Sequence, residues 1–250
     1  MTYQDALILI LKFLLIFMIG TTLGWIIEIF WRRFYGKARR WINPGFLNGP
    51  WLPLYGFGSI VLFLICDNVT PVYLRLIIFF FVLTFLEYIA GRIFVGHFKI
   101  QLWDYSNNKG NIQGIICPFY SFLWTILGLV FSYTLFPLLQ RDISHLLNNL
   151  ELSFFIGIFL GIFSVDLWQS FNLAARIKIF VNESEEKWQV DFEKFKLELR
   201  DRIESGIKNR THFLLPFYGE LGSSLKERLK KHRISRSRIL KPLKNRINKR

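Results

Sequence analysis

Three carboxylic acids stand inside long apolar segments of the sequence, where water cannot solvate them. They are Glu28, Glu87 and Asp166. An ionisable side chain at the centre of a bilayer costs at least about 2.5 kcal/mol on insertion scales, so each one marks a possible functional site. Acids of this kind occur in proton relays and substrate pathways, and they can also act as general acids or bases. We therefore expect them to face protein rather than lipid.

Glycine pairs predict how two of the acid-bearing helices pack. Gly20 and Gly24 lie two turns and one turn before Glu28, so the three residues share one helix face. Gly157 and Gly161 form a similar pair in the last apolar segment. Small residues spaced by four allow helices to approach closely in membranes, so both pairs predict helix contacts.

Arg92 follows Glu87 by five positions, which is about 140° round a helix. The two side chains are poorly placed to pair with each other. We expect Arg92 to reach Glu28, a loop carboxylate or a lipid phosphate instead.

Two polar, turn-rich segments, 43–58 and 103–114, adjoin the apolar segments that carry these groups. Glycine and asparagine permit turns, and short polar side chains bond nearby backbone. Turn chemistry alone explains either segment, but together with the acids they indicate one polar site that opens to the cytoplasm. The candidate residues in these segments are Asn43, Asn48, Tyr55, Trp103, Asp104, Tyr105 and Asn111.

The composition requires a membrane-embedded helix bundle to position these groups. Of 250 residues, 52% are apolar and 18% aromatic, and the mean hydropathy is +0.31. This excludes a disordered chain, a disulfide scaffold and an ordinary soluble enzyme. Cys66 and Cys117 lie in apolar stretches and are expected as buried free thiols. The fold class predicted is all-α, with about five spans at 6–31, 50–66, 72–95, 112–139 and 152–175.

Basic residues predict the orientation of the bundle. Loops on the cytoplasmic side of a membrane are enriched in lysine and arginine. This enrichment predicts an external N-terminus and a cytoplasmic C-terminus. The second segment leaves two alternatives open, because Pro50 and Pro53 suit either a helix start or a re-entrant entry. The basic residues on the predicted cytoplasmic side are Arg32, Arg33, Lys37, Arg39, Arg40, Lys99, Lys109, Arg176 and Lys178.

The sequence after the bundle, which we place at 1–175, has two further parts. Apolar residues recurring at helical spacing from Trp188 predict a cytoplasmic amphipathic helix within 176–207. Residues 208–250 hold fourteen basic and two acidic residues, so this segment carries most of the chain's net charge of +14. This tail is either solvated and partly disordered or bound to anionic lipids. Nucleic-acid binding is not expected, because no aromatic residue follows Tyr218.

Several catalytic patterns are missing from the sequence. It contains no GxxxxGK[ST] phosphate loop, no HExxH and no GxSxG, and its four histidines are scattered. The chain therefore does not hydrolyse ATP through a phosphate loop of its own. We expect no metal, no cofactor and no enzymatic activity of a recognised kind.

Several short motifs occur in a fixed order between about residues 20 and 130. They are Gly24-Trp25-x-x-Glu28, Asn43-x-Gly45-Phe46-Leu47-x-Gly49-Pro50, Pro53-Leu54-Tyr55-Gly56-x-Gly58, Glu87-Tyr88-x-x-Gly91, Trp103-Asp104-Tyr105-Ser106, Asn111-Ile112-x-Gly114-x-Ile116-Cys117 and Ser121-x-x-Trp124. In the order and spacing of these motifs the sequence resembles the putative ABC-transporter type IV membrane proteins. The resemblance implies a multi-pass protein of the bacterial plasma membrane, of the transporter-permease type.

Three functions remain open at this point. The first is a transport subunit that works with a separate ATPase and with a second copy or a partner permease, because five spans cannot easily surround a pathway. The second is an intramembrane enzyme acting on a lipid-linked substrate, with acids in catalytic roles. The third is a non-catalytic scaffold or assembly factor, in which the acids are buried structural pairs.

Overall fold

The computed structural model describes residues 3–36, 39–147, 150–182, 188–193, 195–197 and 240–242. The chain is an all-α membrane helix bundle, as predicted, with three very short strands. The helices are α1 (Tyr3–Phe34), α2 (Pro53–Asn68), α3 (Val72–Ile93), α4 (Pro118–Tyr133), α5 (Leu135–Leu147) and α6 (Leu150–Asn182). A π-helical turn, Phe94–Phe98, continues α3, and the strands are β1 (Ile100–Gln101), β2 (Trp188–Asp191) and β3 (Leu240–Pro242).

Among the described residues, four helical stretches are long and apolar enough to cross a membrane. They confirm four of the five predicted segments. Helix α2, with 16 residues, is shorter than the roughly 20 that a span needs. Whether α2 crosses the bilayer therefore stays a prediction. The four long stretches are Asp5–Phe34, Val72–Phe98, Pro118–Arg141 and Ser153–Ala175.

The chain divides into two compact units. The first comprises Met1–Ala90 and Tyr105–Trp168, and the second comprises Gly91–Asp104 and Gln169–Arg250. Helix α6 continues to Asn182, past the boundary placed at residue 175 on sequence grounds. The proposed division into bundle, amphipathic helix and basic tail stays a prediction.

Glycines bring α1 and α2 of the first unit into close contact. A Cβ added to Gly20 would overlap the Ser59 side chain, and one added to Gly24 would overlap Tyr55. From the opposite side, a Cβ on Gly56 would come within 2.7 Å of Phe17. Because a methyl group fits at none of these positions, the helix backbones lie closer than larger residues would permit.

The fourth apolar segment begins and breaks differently from its prediction. Residues 112–117 are not helical, since Ile112 pairs with Ile116 and helix α4 starts at Pro118. Thr134 then interrupts the helix before α5. Pro137 explains this break, because its ring has no N–H to donate to the carbonyl four residues earlier. The apolar composition alone could not locate either boundary.

The described part of the second unit holds the three strands. Strand β1 pairs with β2 in parallel, and β2 pairs with β3 antiparallel. The amphipathic helix predicted from Trp188 is therefore wrong at its first four residues, which form β2. The order Trp-Gln-Val-Asp alternates apolar and polar side chains, which is the period of a strand. Residues 198–207 and most of the basic tail lie outside the described residues.

We predict that Gly24→Ala destabilises the protein while Gly157→Ala does not. The new methyl group at Gly24 meets Tyr55, whereas one at Gly157 has no described heavy atom within 4 Å. Overpacking typically costs about 1–3 kcal/mol, and alanine is the better helix former in open space. Thermal unfolding in detergent should show a lower midpoint for Gly24→Ala alone. Equal shifts in both variants would contradict the close approach of α1 and α2.

Candidate functional site

Glu28 has a donor for each of its carboxylate oxygens. Arg32, one turn further along α1, lies 3.0 Å from Oε1 and forms an ion pair with it. The Tyr55 hydroxyl of α2 donates to Oε2 at 3.0 Å. Because Gly24 has no side chain, α2 can pack close to α1 at this point, and this places Tyr55 within reach of Glu28. Glu28 is thus a half-buried, fully bonded carboxylate.

Glu87 is the most buried acid of the described chain, with 2% of its surface exposed. The Tyr105 hydroxyl, from the loop after β1, donates to Oε1 at 3.0 Å. The Trp124 indole of α4 lies beside the same carboxyl group. No described donor meets the hydrogen-bond geometry at Oε2. One oxygen of this buried acid is therefore satisfied and the other is not.

The two glutamates belong to one cluster within the first unit, since they lie within electrostatic reach of each other. Tyr55 also packs against Trp124, with ring centroids 4.8 Å apart. Tyr105 stacks on Tyr120 at 4.1 Å. We call this group the carboxylate cluster. Its members are Glu28, Arg32, Tyr55, Glu87, Tyr105, Tyr120 and Trp124.

Tyr105 is the member of the carboxylate cluster that comes from a loop and not from a helix. Burial raises the pKa of its phenol well above the usual value, and the nearby Glu28 carboxylate raises it further. The hydroxyl is therefore a stable proton donor to Glu87 at physiological pH.

Asp166 is bound by a different set of groups. Its carboxylate accepts from the backbone N–H groups of Asn48 at 3.1 Å and Gly49 at 2.8 Å. The Asn48 amide donates to it at 3.0 Å and the Trp51 indole at 2.7 Å. A loop, rather than a second helix, meets the acid. We call Asp166, Asn48, Gly49 and Trp51 the Asp166 anchor.

These bonds place non-helical backbone deep in the bundle. Asp166 precedes the end of its apolar stretch by nine residues and Glu87 by eleven, or about 14 and 16 Å of helix. The Leu52 N–H, at the start of α2, donates to the Thr21 carbonyl near the middle of α1. Irregular backbone at membrane depth is tolerated only where protein or a cavity satisfies it. Segment 43–58 meets that requirement through Asp166, which accepts two of its N–H groups, and segment 103–114 bonds backbone within itself, as at Tyr105 and Gly114.

Two of the three asparagines predicted as site residues, Asn43 and Asn111, mainly order their own loops. Asn43 accepts from the Trp25 indole and donates to the carbonyls of Leu47 and Asn48. Asn111 bonds backbone within its own turn, at Asn108 and Gly114 among others. Their contribution to the site is thus to shape the loops that carry Tyr105 and the donors to Asp166.

The remaining candidates have different surroundings. Arg92, Trp103 and Asp104 belong to the second unit, where Arg92 is exposed and the other two are half-buried. Their place in the site stays a prediction. A Cβ on Gly157 or Gly161 meets no described heavy atom within 4 Å, so the helix contact predicted there is absent from the described residues. Both glycines lie on a surface of α6 that the first unit leaves uncovered.

Sequence reasoning missed the partners that complete the site. Arg32 appeared only as a loop charge for orientation, although its spacing of four from Glu28 is the signal for an ion pair on one helix. Trp124 appeared only within a motif. Trp51 and Tyr120 carried no signal, because each meets its partner through tertiary packing.

A family model for the putative ABC-transporter type IV proteins matches residues 15–171. The chain belongs to this family. The matched region includes both clusters of buried acids and ends before the second unit's strands β2 and β3. No curated protein and no solved structure gives a significant match. The family membership and the four apolar helices make the chain an ABC-transporter-type membrane protein.

We predict that Asp166→Asn releases the loop at 43–51. An amide replaces one of the two acceptor oxygens by an N–H₂ group and removes the charge, so the bonds at that oxygen, worth about 1.5–3 kcal/mol each, are lost. A cysteine at Leu47, which is fully buried, should then react with a thiol reagent many times faster in a chain lacking Cys66 and Cys117. The exposed Asp67→Asn is the matched control. Unchanged reactivity would show that the loop does not depend on Asp166.

We predict that the stabilising effect of the Tyr105 hydroxyl is lost only at strongly alkaline pH. Because the folded-state pKa is raised, this stability is present below pH 10 and falls as the phenol ionises above it. Unfolding midpoints of the wild type and Tyr105→Phe, measured in detergent between pH 7 and 11, should stay apart up to about pH 10 and then converge. A difference that already closes near pH 8 would contradict this assignment.

Proposed function

We propose that this chain is the membrane-spanning subunit of a transporter and that the carboxylate cluster lies on its substrate pathway. The observation that carries the proposal is Glu87, a nearly fully buried acid with one unsatisfied oxygen. Acids kept at membrane depth typically mark substrate and ion pathways. An acid with a purely structural role would have donors for both oxygens, as Asp166 does.

The short helix α2 supports the same proposal. Its first turn starts beside the middle of α1, at the Leu52–Thr21 backbone bond. Many transporters build their sites from such discontinuous helices, whose unpaired terminal groups face the substrate. Here the first turn of α2 carries Tyr55, which bonds Glu28.

The energy source and the partners belong to the proposal as well. The sequence has no phosphate loop, so an ABC-type transporter built on this chain needs a separate ATPase subunit. It also needs a second membrane subunit, either another copy of the chain or a partner permease, because so few helices cannot enclose a pathway. We place the protein in the bacterial plasma membrane, with a cytoplasmic C-terminus whose basic tail contacts anionic lipids.

A scaffold function has one observation in its favour. The four donor groups around Asp166 form a complete structural anchor that needs no substrate. This anchor fits equally into a transporter, where it would hold the loop that leads into α2. No described group favours the lipid-linked enzyme over these two functions.

We expect a phosphate-loop protein to co-purify with the tagged chain when it is extracted from its own membranes in mild detergent. We also expect the purified complex to hydrolyse ATP. Mass spectrometry and ATP hydrolysis are the measurements. Glu87→Gln should change the hydrolysis rate of the complex at least several-fold without lowering its amount, and Asp67→Asn should not change it. A chain that purifies without any nucleotide-binding protein, and with no ATPase activity, would overturn the transporter proposal.

A further inference from the structure

Helices α2 and α4 begin in the same way. Each has 16 residues, a proline in its first turn and an extended residue just before it, Leu52 or Cys117. Each also follows a polar loop and a long helix that places one glutamate in the carboxylate cluster. The two starts share a sequence pattern, which reads Gly49-x-x-x-Pro53-x-Tyr55-Gly56-Phe57 in one and Gly114-x-x-x-Pro118-x-Tyr120-Ser121-Phe122 in the other.

The two helix pairs, α1 with α2 and α3 with α4, differ in whether a cation lies beside the glutamate. Glu28 has an arginine four residues later, Arg32, and the two form an ion pair. The position four residues after Glu87 is Gly91, which has no side chain to offer. The same architecture therefore presents one glutamate with a cation and the other without one on its own helix.

The surroundings of Glu87 do not replace that missing cation within the first unit. The charged and titratable groups of the carboxylate cluster come from every element packed around the acid there. Its one cation, Arg32, already binds Glu28, and the tyrosines supply neutral hydroxyl donors. These groups are Glu28 and Arg32 of α1, Tyr55 of α2, Tyr105 of the loop and Tyr120 of α4.

A negative charge on Glu87 would be hard to maintain in this setting. Removing an ion from water costs several kcal/mol unless partners compensate it. Tyr105 donates to Oε1 and the Trp124 indole lies beside the carboxyl group, but no described donor meets the hydrogen-bond geometry at Oε2. A proton on Oε2 removes the charge and leaves the Tyr105 bond in place, since a carboxyl group still accepts at its other oxygen.

We propose that Glu87 is the proton-binding group of the carboxylate cluster, a carboxylic acid with its proton on Oε2 at neutral pH, beside the ion pair of Glu28 and Arg32. The proton comes from water and no other bond changes. Any role of this proton in transport rests on the function proposed above, whereas the protonation itself does not. Loss of the proton would create a charge that only a cation or a moved donor could offset. Protonation of Glu87 and the arrival of such a group beside it are therefore linked.

Infrared spectroscopy of the full chain tests the proposal directly. In a detergent without carbonyl groups at pH 7, we expect the C=O stretch of a protonated carboxylic acid, shifted in D₂O. The band should disappear in Glu87→Gln and remain in Asp166→Asn. In Glu87→Asp it should remain at a changed frequency, which shows that the bundle is intact. Absence of the band from the wild type, or its survival in Glu87→Gln, would overturn the proposal.

The double variant Glu28→Gln/Arg32→Gln provides a second test, because it removes the ion pair as a unit. The carboxylic acid band should remain, since the proton belongs to Glu87. Loss of the band in this variant would contradict the assignment to Glu87. Neither test requires substrate or an ATPase, so its outcome is independent of the transport assay.

Discussion

A carboxylate surrounded by apolar helices must be given hydrogen-bond donors, and this constraint organises the first unit. The helices themselves have few donors to offer, because their backbone N–H groups are already bonded within each helix. Loops have free N–H groups, indoles and hydroxyls. The segment at 43–51 supplies four donor groups to Asp166, and the loop after β1 supplies the Tyr105 hydroxyl to Glu87.

The same bonds satisfy the loops. Non-helical backbone cannot remain at membrane depth unless something accepts its N–H groups. Asp166 accepts two of them, at Asn48 and Gly49, and the Thr21 carbonyl accepts that of Leu52. Acid and loop thus each remove the other's desolvation penalty. This mutual dependence explains why α2 can start deep in the bundle and present Tyr55 to Glu28.

Much of the fold could be predicted from sequence, because apolar length is a local property of each segment. The positions of Glu28, Glu87 and Asp166 in helices were equally visible. Their partners were not, since Asp166 meets Asn48 across 118 positions of sequence. Prediction from local sequence patterns failed where a helical pattern and a strand pattern overlapped. At Trp188 the helical spacing of apolar residues extended into a stretch whose polar alternation instead forms strand β2.

The bonding partners of the three acids distinguish a structural role from a functional one better than the depth of the acids does. Asp166 has its donors and fixes a loop, and Glu28 has a cation and a hydroxyl on its two oxygens. Glu87 has a donor for one oxygen only, although it is the most buried of the three. A group that folding leaves incompletely bonded stays chemically responsive, because a proton or a cation can still complete it. Helices α2 and α4 begin in the same way, so the missing cation after Glu87 is a difference in side chains rather than in architecture.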